Sequence, residues 1–501
     1  MIDSYASLIK IRRQIFKEVA KLGYEGGDYS RVDEIPYELF RGEPVYRDSI
    51  FLERAIAGER IRLALGLSRR SPDEHNPISK GIEEAIKPEK YYEPPLINVI
   101  EFACNACPTE SYHVTDVCVG CLANPCANVC PKGAIKIVNG KSHIDQSLCI
   151  HCGKCRDVCP YNAIVHRERP CAKACGVNAI ESDENGKAKI NYDKCVACGQ
   201  CIVNCPFGAI ADKSQIFQVI QAIKNDFEVY ALMAPAFIGQ FGPKVTLKTV
   251  RSALAELGFK DVVEVSIGAD LCAIDEAHDF LENVPSKLKF MGTSCCPSWS
   301  VMAKNEFPEF KENISMTMTP MVLTARLVKK NHPNAKIVFI GPCASKKLEA
   351  SRKKVRSDVD FVLTFEELMG MFEAKNVDFS KLTQDELKNE TSSDGRGFAI
   401  AGGVAQAVVD VIKRIDPDKE VKVQSAQGLS NCKKMLELAK QGKYDGYLLE
   451  GMACPYGCVS GAGTINAPTK TKALVGVSQK EATLKNSCDS KYREEITHLK
   501  K

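Results

Sequence analysis

The chain has 501 residues, 45% of them hydrophobic, with 67 Lys plus Arg against 63 Asp plus Glu and a formal charge of +4. That length accommodates three or more domains with ordinary cores, and the near balance of charge argues against nucleic acid or a charged membrane surface as the main partner. Of 24 cysteines, 16 fall between positions 104 and 205 at iron-sulfur ligand spacing, so they are read as reduced and metal-bound rather than paired in disulfides.

Residues 1–100 read as a helical N-terminal region of unknown role. Ile9, Ile15, Val19 and Leu22 recur at helical spacing, and a second charged amphipathic stretch runs through Ile50–Gly66. The proline-bearing stretch Lys87–Pro95 reads as a connector. Asp3 and the charged QIFKEVAKL after Arg12-Arg13 do not make a signal peptide, and no apolar run reaches membrane-spanning length. A cytoplasmic protein with no membrane partner is expected.

Residues 101–213 contain an internal repeat whose tails are Cys130-PKGAI, Cys159-PYNAI, Cys175-GVNAI and Cys205-PFGAI, four half-units of a bacterial ferredoxin (α+β). The last cysteine of each run ligates the other run's cluster, which yields two inner sets: Cys118, Cys121, Cys126 with Cys159, and Cys149, Cys152, Cys155 with Cys130. The second pair of half-units lacks a leading CxxC. Cys104 and Cys107, upstream, supply it if one ferredoxin is inserted in a loop of another; the alternative is a pair of unrelated thiols. The outer sets are then Cys104, Cys107, Cys171, Cys205 and Cys195, Cys198, Cys201, Cys175, making four accessory 4Fe-4S clusters.

Residues 214–465 alternate strand-like runs (Val229–Met233, Val262–Ser266, Leu288–Met291, Ile337–Ile340, Tyr447–Leu449) with amphipathic stretches such as Val245–Leu257 and Val404–Ile415. The expected fold is α/β with parallel sheets, followed by a C-terminal tail at 466–501. Three cysteine-bearing loops each follow a strand-like run, and ligands of open α/β sheets collect at the carboxyl ends of strands. Thr293-Ser294-Cys295-Cys296-Pro297-Ser298-Trp299 holds two adjacent thiols and the only tryptophan. Side chains of neighbouring residues diverge, so one thiol is a ligand and the other stays free for proton chemistry. Gly341-Pro342-Cys343 adds a thiol with Lys346 three residues on, and Glu450-Gly451-Met452-Ala453-Cys454 adds Cys454 and Cys458, read as chelating from adjacent turns of a helix begun by Pro455. Cys272, Cys432 and Cys488 have no partners at ligand spacing and are read as structural.

The three signatures, TSCCPxW, xPCxxKxxE and ExMxCxxGCxxG, resemble those of the iron-only (FeFe) hydrogenases, over roughly residues 100–465. The resemblance implies a two-lobed catalytic domain around an H-cluster: a 4Fe-4S cubane on Cys296, Cys343, Cys454 and Cys458, bridged by Cys458 to a two-iron site bearing carbon monoxide, cyanide and a dithiolate. It further implies that Lys346 hydrogen-bonds a cyanide, that Met452 touches the bridging region, and that Ala234-Pro235 line the two-iron pocket. Cys295, Glu276, Ser315 and Asp279 stand where that family relays protons. The competing readings are an ordinary surface lysine, a packing methionine, and a solvated helix face for Glu276 and Asp279.

Gly341 stands where the best-known members usually have methionine, Tyr456 where they have glycine, and Asn283 where their relay ends in arginine; Ser315-MTMTPM also departs from their pattern. The activity implied is interconversion of dihydrogen with protons and electrons, the electrons passing to a ferredoxin-like carrier, with maturation proteins supplying the two-iron site. The alternatives are an iron-sulfur assembly or interaction protein lacking that site, and a redox sensor.

Overall fold

The computed structural model describes residues 2–71, 73–88, 93–351, 357–382 and 391–500. Residues 89–92 of the connector at Lys87–Pro95 lie outside the described residues.

The helix Ile2–Glu25 turns Ile11, Ile15, Val19 and Leu22 inward, all buried, and packs on the helices Ile216–Lys224 and Phe365–Ala374. Its closest approach is at Gly370, where a Cβ would stand 2.6 Å from that of Phe16. The helix Ile50–Ala64 begins at Ser49, whose hydroxyl accepts the Phe51 N–H. Buried Glu53 on this helix accepts the N–H groups of Val45 (2.7 Å) and Arg47 (2.9 Å), tying the preceding loop down.

The cysteine-rich region carries eight short strands: β1 (Ile97–Val99), β2 (Ser111–Val114), β3 (Ile135–Val138), β4 (Lys141–Ile144), β5 (Ile164–Arg167), β6 (Ile180–Ser182), β7 (Ala188–Ile190) and β8 (Ile210–Asp212). All pairings are antiparallel: β1 with β8, β2 with β5, β3 with β4 and β6 with β7. The β2–β5 unit with its hairpin therefore lies, in chain order, within the span that β1 and β8 close. Each repeat tail makes one and the same turn. Its third residue after the cysteine is left-handed (Gly133 φ 58°, Asn162 φ 49°, Asn178 φ 50°, Gly208 φ 58°), where glycine and asparagine are the tolerated residues. The alanine N–H that follows donates to the cysteine sulfur, at 3.3 Å for Cys130, 3.4 Å for Cys159, 3.2 Å for Cys175 and 3.3 Å for Cys205.

The next region has β9 (Val229–Met233), β10 (Asp261–Glu264), β11 (Met291–Gly292), β12 (Lys336–Gly341), β13 (Phe361–Thr364), β14 (Lys422–Gln427) and β15 (Tyr447–Met452). They form two wholly parallel sheets, ordered β10-β9-β12-β13 and β11-β15-β14. β9 is buried along its whole length, as a strand covered on both faces by helices should be. β13 and β14 were not among the expected runs, and Ser266, expected to end a strand, instead opens the helix Ser266–Asn283. Residues 466–500 carry the helix Pro468–Glu481 and fold back on this region: Val475 and Leu499 are buried, and the Ser487 hydroxyl donates to Asp270 at 2.9 Å. No helix among the described residues is long and apolar enough to cross a membrane.

Candidate metal centre and proton path

Four strand ends converge on one apolar cavity of about 90 Å³. The loop after β9 brings Ala234 and Pro235, that after β11 brings Cys295 and Cys296, that after β12 brings Cys343 and Lys346, and β15 with its loop brings Met452, Cys454 and Cys458. Small residues permit the convergence. A Cβ on Gly451 would stand 2.2 Å from the Trp299 ring, whose N–H donates to the Thr293 carbonyl at 3.0 Å, and one on Gly461 would stand 2.4 Å from the Pro342 carbonyl oxygen. Glycine at 341 also has a reason here: the Phe339 ring fills that space, 2.6 Å from where a Cβ would sit.

Cys296 caps the helix Pro297–Glu306. Cys454 and Cys458 are not on a helix. Tyr456 (φ 63°) and Gly457 (φ 89°) are both left-handed, so Pro455 starts a tight turn instead, and only Cys458–Ser460 forms a short 3₁₀ turn. Burial pushes the Cys296 thiol up to about 11, and mutual repulsion with Cys343 adds to it. Cys454 and Cys458 are likewise raised, by burial first and then by Cys343 and Cys296. Such thiols keep their protons until a metal replaces them. Among the described residues no three cysteine sulfurs lie within 4.8 Å of one another. That spacing is too wide for one tetrahedral ion bound at about 2.3 Å and suits a larger cluster.

Lys346 is 8% exposed and donates to Glu349 at 2.6 Å, while the Thr319 hydroxyl donates to the other Glu349 oxygen at 2.6 Å. Burial alone would lower this ammonium; Glu349 and Cys343 outweigh it and hold it above the ordinary lysine value. Met452 is buried at the cavity wall, and its carbonyl accepts the Gly428 N–H.

Glu276, on the helix Ser266–Asn283, has no exposed surface, so it is not part of a solvated helix face. One carboxylate oxygen accepts from the N–H (2.9 Å) and hydroxyl (3.2 Å) of Ser294; the other is buried without a hydrogen-bond partner among the described residues. Burial raises its pKa to about 8. Cys295, lining the cavity, is also raised, by burial first and by Glu276 next. Beyond Glu276, the Ser294 hydroxyl reaches the Thr317 carbonyl (3.1 Å), the Thr317 N–H donates to the Ser315 hydroxyl (3.2 Å), and that hydroxyl donates to Asp279 (3.1 Å). Asn283 donates to Asp279 at 2.8 Å and accepts from exposed Lys287 at 3.1 Å. Ser294, Thr317 and Glu349 all lie in or next to segments the motifs marked, yet nothing in their spacing announced these contacts.

The accessory cysteines gather as follows. Cys118, Cys121, Cys126 and Cys159 line one cavity. Cys155 lies near Cys149 and Cys152, and Cys130 joins Cys149 and Cys155 in the apolar cluster of the same unit. Burial raises the Cys171 thiol to about 12, with repulsion from Cys205, Cys104 and Cys107 behind it. Cys201 is raised by burial and then by Cys198, Cys195, Cys175 and Cys171. Cys198 also lines the cavity that holds Cys296 and Cys454, and Gln200 donates to the Cys454 sulfur at 3.4 Å.

Residues 227–462 match the model of the iron-only hydrogenase large subunit, C-terminal domain, and residues 117–163 and 148–209 match that of a 4Fe-4S dicluster domain. The periplasmic [Fe] hydrogenase large subunit of Nitratidesulfovibrio vulgaris is 30% identical over 66% of this chain and 88% of that protein. The chain belongs to the iron-only hydrogenase family. Iron hydrogenase 1 of Clostridium pasteurianum is 28% identical over 80% of this chain and 79% of that protein. A cytosolic Fe-S cluster assembly factor of Danio rerio is 25% identical over 45% of this chain and 67% of that protein.

Proposed function

We propose that this member of the family is a working hydrogenase, converting dihydrogen reversibly into two protons and two electrons. The observation that carries the proposal is the shared cavity: Cys295, Cys296, Cys343, Cys454 and Cys458, a buried ammonium and a methionine line one apolar space. Cys296, Cys343, Cys454 and Cys458 would hold the cubane, Cys458 providing the bridge, with Lys346, Met452, Ala234 and Pro235 around the two-iron part. When bound, the H-cluster supplies the place where the H–H bond breaks or forms and where both electrons enter or leave.

The chain's own residues then move the proton. Cys295 exchanges it at the cavity, and Glu276, whose pKa of about 8 lies near neutrality, both accepts and releases it. Ser315 and Asp279, hydrogen-bonded to each other, continue toward the surface at Asn283 and Lys287, while the Thr317 backbone holds the Ser294 and Ser315 hydroxyls in place and carries no proton. Electrons leave through the Cys198 set beside the cavity, then the other accessory sets, to a soluble ferredoxin-like carrier. We place the protein in the cytoplasm, with separate maturation proteins building the two-iron part.

The relatedness to a cytosolic assembly factor supports a second reading, an iron-sulfur assembly or interaction protein without a two-iron site. Infrared spectroscopy of anaerobically matured protein separates the two. Bands of metal-bound carbon monoxide and cyanide, with hydrogen evolution from a reduced dye, are the expected result; fully matured protein without such bands would establish the second reading.

A further inference from the structure

One accessory set, Cys104, Cys107, Cys171 and Cys205, is ringed by guanidinium groups. Arg47 donates to the carbonyls of Ala103 (3.1 Å) and Phe207 (2.7 Å), one residue before Cys104 and two after Cys205. Arg60 donates to the next carbonyl, that of Gly208. Arg169 donates to the carbonyl of Cys107 itself through two nitrogens, at 3.0 and 3.3 Å. Arg60 is 6% and Arg169 4% exposed, so their charges act where water screens them little.

The local chain is shaped to admit them. A Cβ on Gly208 would stand 2.6 Å from the Arg60 guanidinium, whereas at Gly133, the same position of another half-unit, nothing lies within 4 Å. Among the described residues, no arginine donates to a carbonyl within three residues of a ligand in any other accessory set. The Cys175, Cys195, Cys198 and Cys201 set is the natural control, since it is also largely buried and lacks such arginines.

We infer that Arg47, Arg60 and Arg169 raise the reduction potential of the cluster held by Cys104, Cys107, Cys171 and Cys205 above that of its buried neighbour. Reduction adds one negative charge to the cluster, and fixed positive charge nearby stabilises the reduced state. The N-terminal region thereby acquires a role, because two of the three arginines come from the helix Ile50–Ala64 and the loop before it. These are positioning residues: they touch the carbonyls around the ligands, and the electron rests on that cluster before moving inward. The inference depends on the ligand sets proposed above.

The test is a redox titration of the full chain, loaded with all its clusters and followed by electron paramagnetic resonance, for wild type, Arg60→Gln and Arg60→Lys. In Arg60→Gln one cluster should become harder to reduce, its reduced-to-oxidised ratio at fixed potential falling about tenfold, which is about 59 mV for one electron. Arg60→Lys should keep the wild-type midpoint, and Cys171→Ser should abolish the signal that moves. An unmoved midpoint in Arg60→Gln overturns the inference. So does equal loss of the cluster in both Arg60 variants, which would make the arginine a structural clamp only. A wild-type protein holding three accessory clusters would defeat the ligand assignment beneath it instead.

Discussion

The accessory region and the apolar cavity each bring cysteines together, by opposite means. In three of the four proposed accessory sets three cysteines lie within one short run, as with Cys195, Cys198 and Cys201, and a local turn with an N–H bonded to sulfur orients the last cysteine of each half-unit. In the cavity the four proposed ligands come from three loops, brought close where Gly451 admits Trp299 and Gly461 admits Pro342. The difference has a consequence for exposure. A locally built set survives at the surface, where Cys152 is exposed and Leu122, beside Cys121, is 98% exposed. The set built from distant loops exists only inside a packed interior, which also removes water from Cys295, Glu276 and Lys346.

The sharpest way to break that comparison is at the two adjacent thiols. Cys296→Ala should lose the catalytic cubane and the two-iron site with it. Cys295→Ala should keep iron and infrared bands while turnover falls by roughly 10²–10⁴, because alanine offers no titratable group where the proton must pass. A Cys295→Ala protein with near wild-type turnover would move the proton path elsewhere. Next in size, Cys104→Ala and Cys171→Ala should each remove the same cluster, roughly four of about 22 iron atoms, and leave the inner pair intact. Different losses from the two substitutions would break the outer pairing.

Glu276 supplies a smaller effect with a definite sign. Its pKa stands at about 8 in the folded chain against an ordinary 4.5, so between those values the folded state holds a proton that the unfolded state has released. Its contribution to stability therefore declines as pH rises through that window. Glu276→Gln should gain melting temperature relative to wild type between about pH 5 and pH 8, in anaerobic thermal melts; a constant difference would show that the carboxyl is not held protonated. The smallest effects distinguish tight from open glycines. Gly461→Ala should cost about 1–3 kcal/mol by overpacking against Pro342. Gly133→Ala, with open space around it and φ 58°, should cost only the left-handed backbone penalty of about 1–2 kcal/mol. Denaturant melts that ranked them the other way would undo the distinction.

The proposed ligands could be named from the sequence because their spacing and turns are local chemistry. The four repeat tails require a left-handed residue and a following alanine N–H, and the short runs before Thr293, Gly341 and Glu450 mark strands, so the loops carrying Cys296, Cys343, Cys454 and Cys458 fall at strand ends. Pairing of β1 with β8 around β2 and β5 lies at the limit of such reading, because it depends on which distant edges meet. The rest was decided by long-range packing. Glu276 is one of several acidic residues on its helix, and only its burial against Ser294 raises its pKa to about 8. Pro455 permits a helix as readily as a turn, and the cavity geometry selected the turn. Arg47 and Arg60 look like ordinary charges of an amphipathic segment until the fold sets them against carbonyls more than fifty residues away. Side-chain type and spacing determine which atoms can bind a metal; the surrounding dielectric and fixed charge, which determine what the bound metal does, arise only when distant parts of the chain exclude water together.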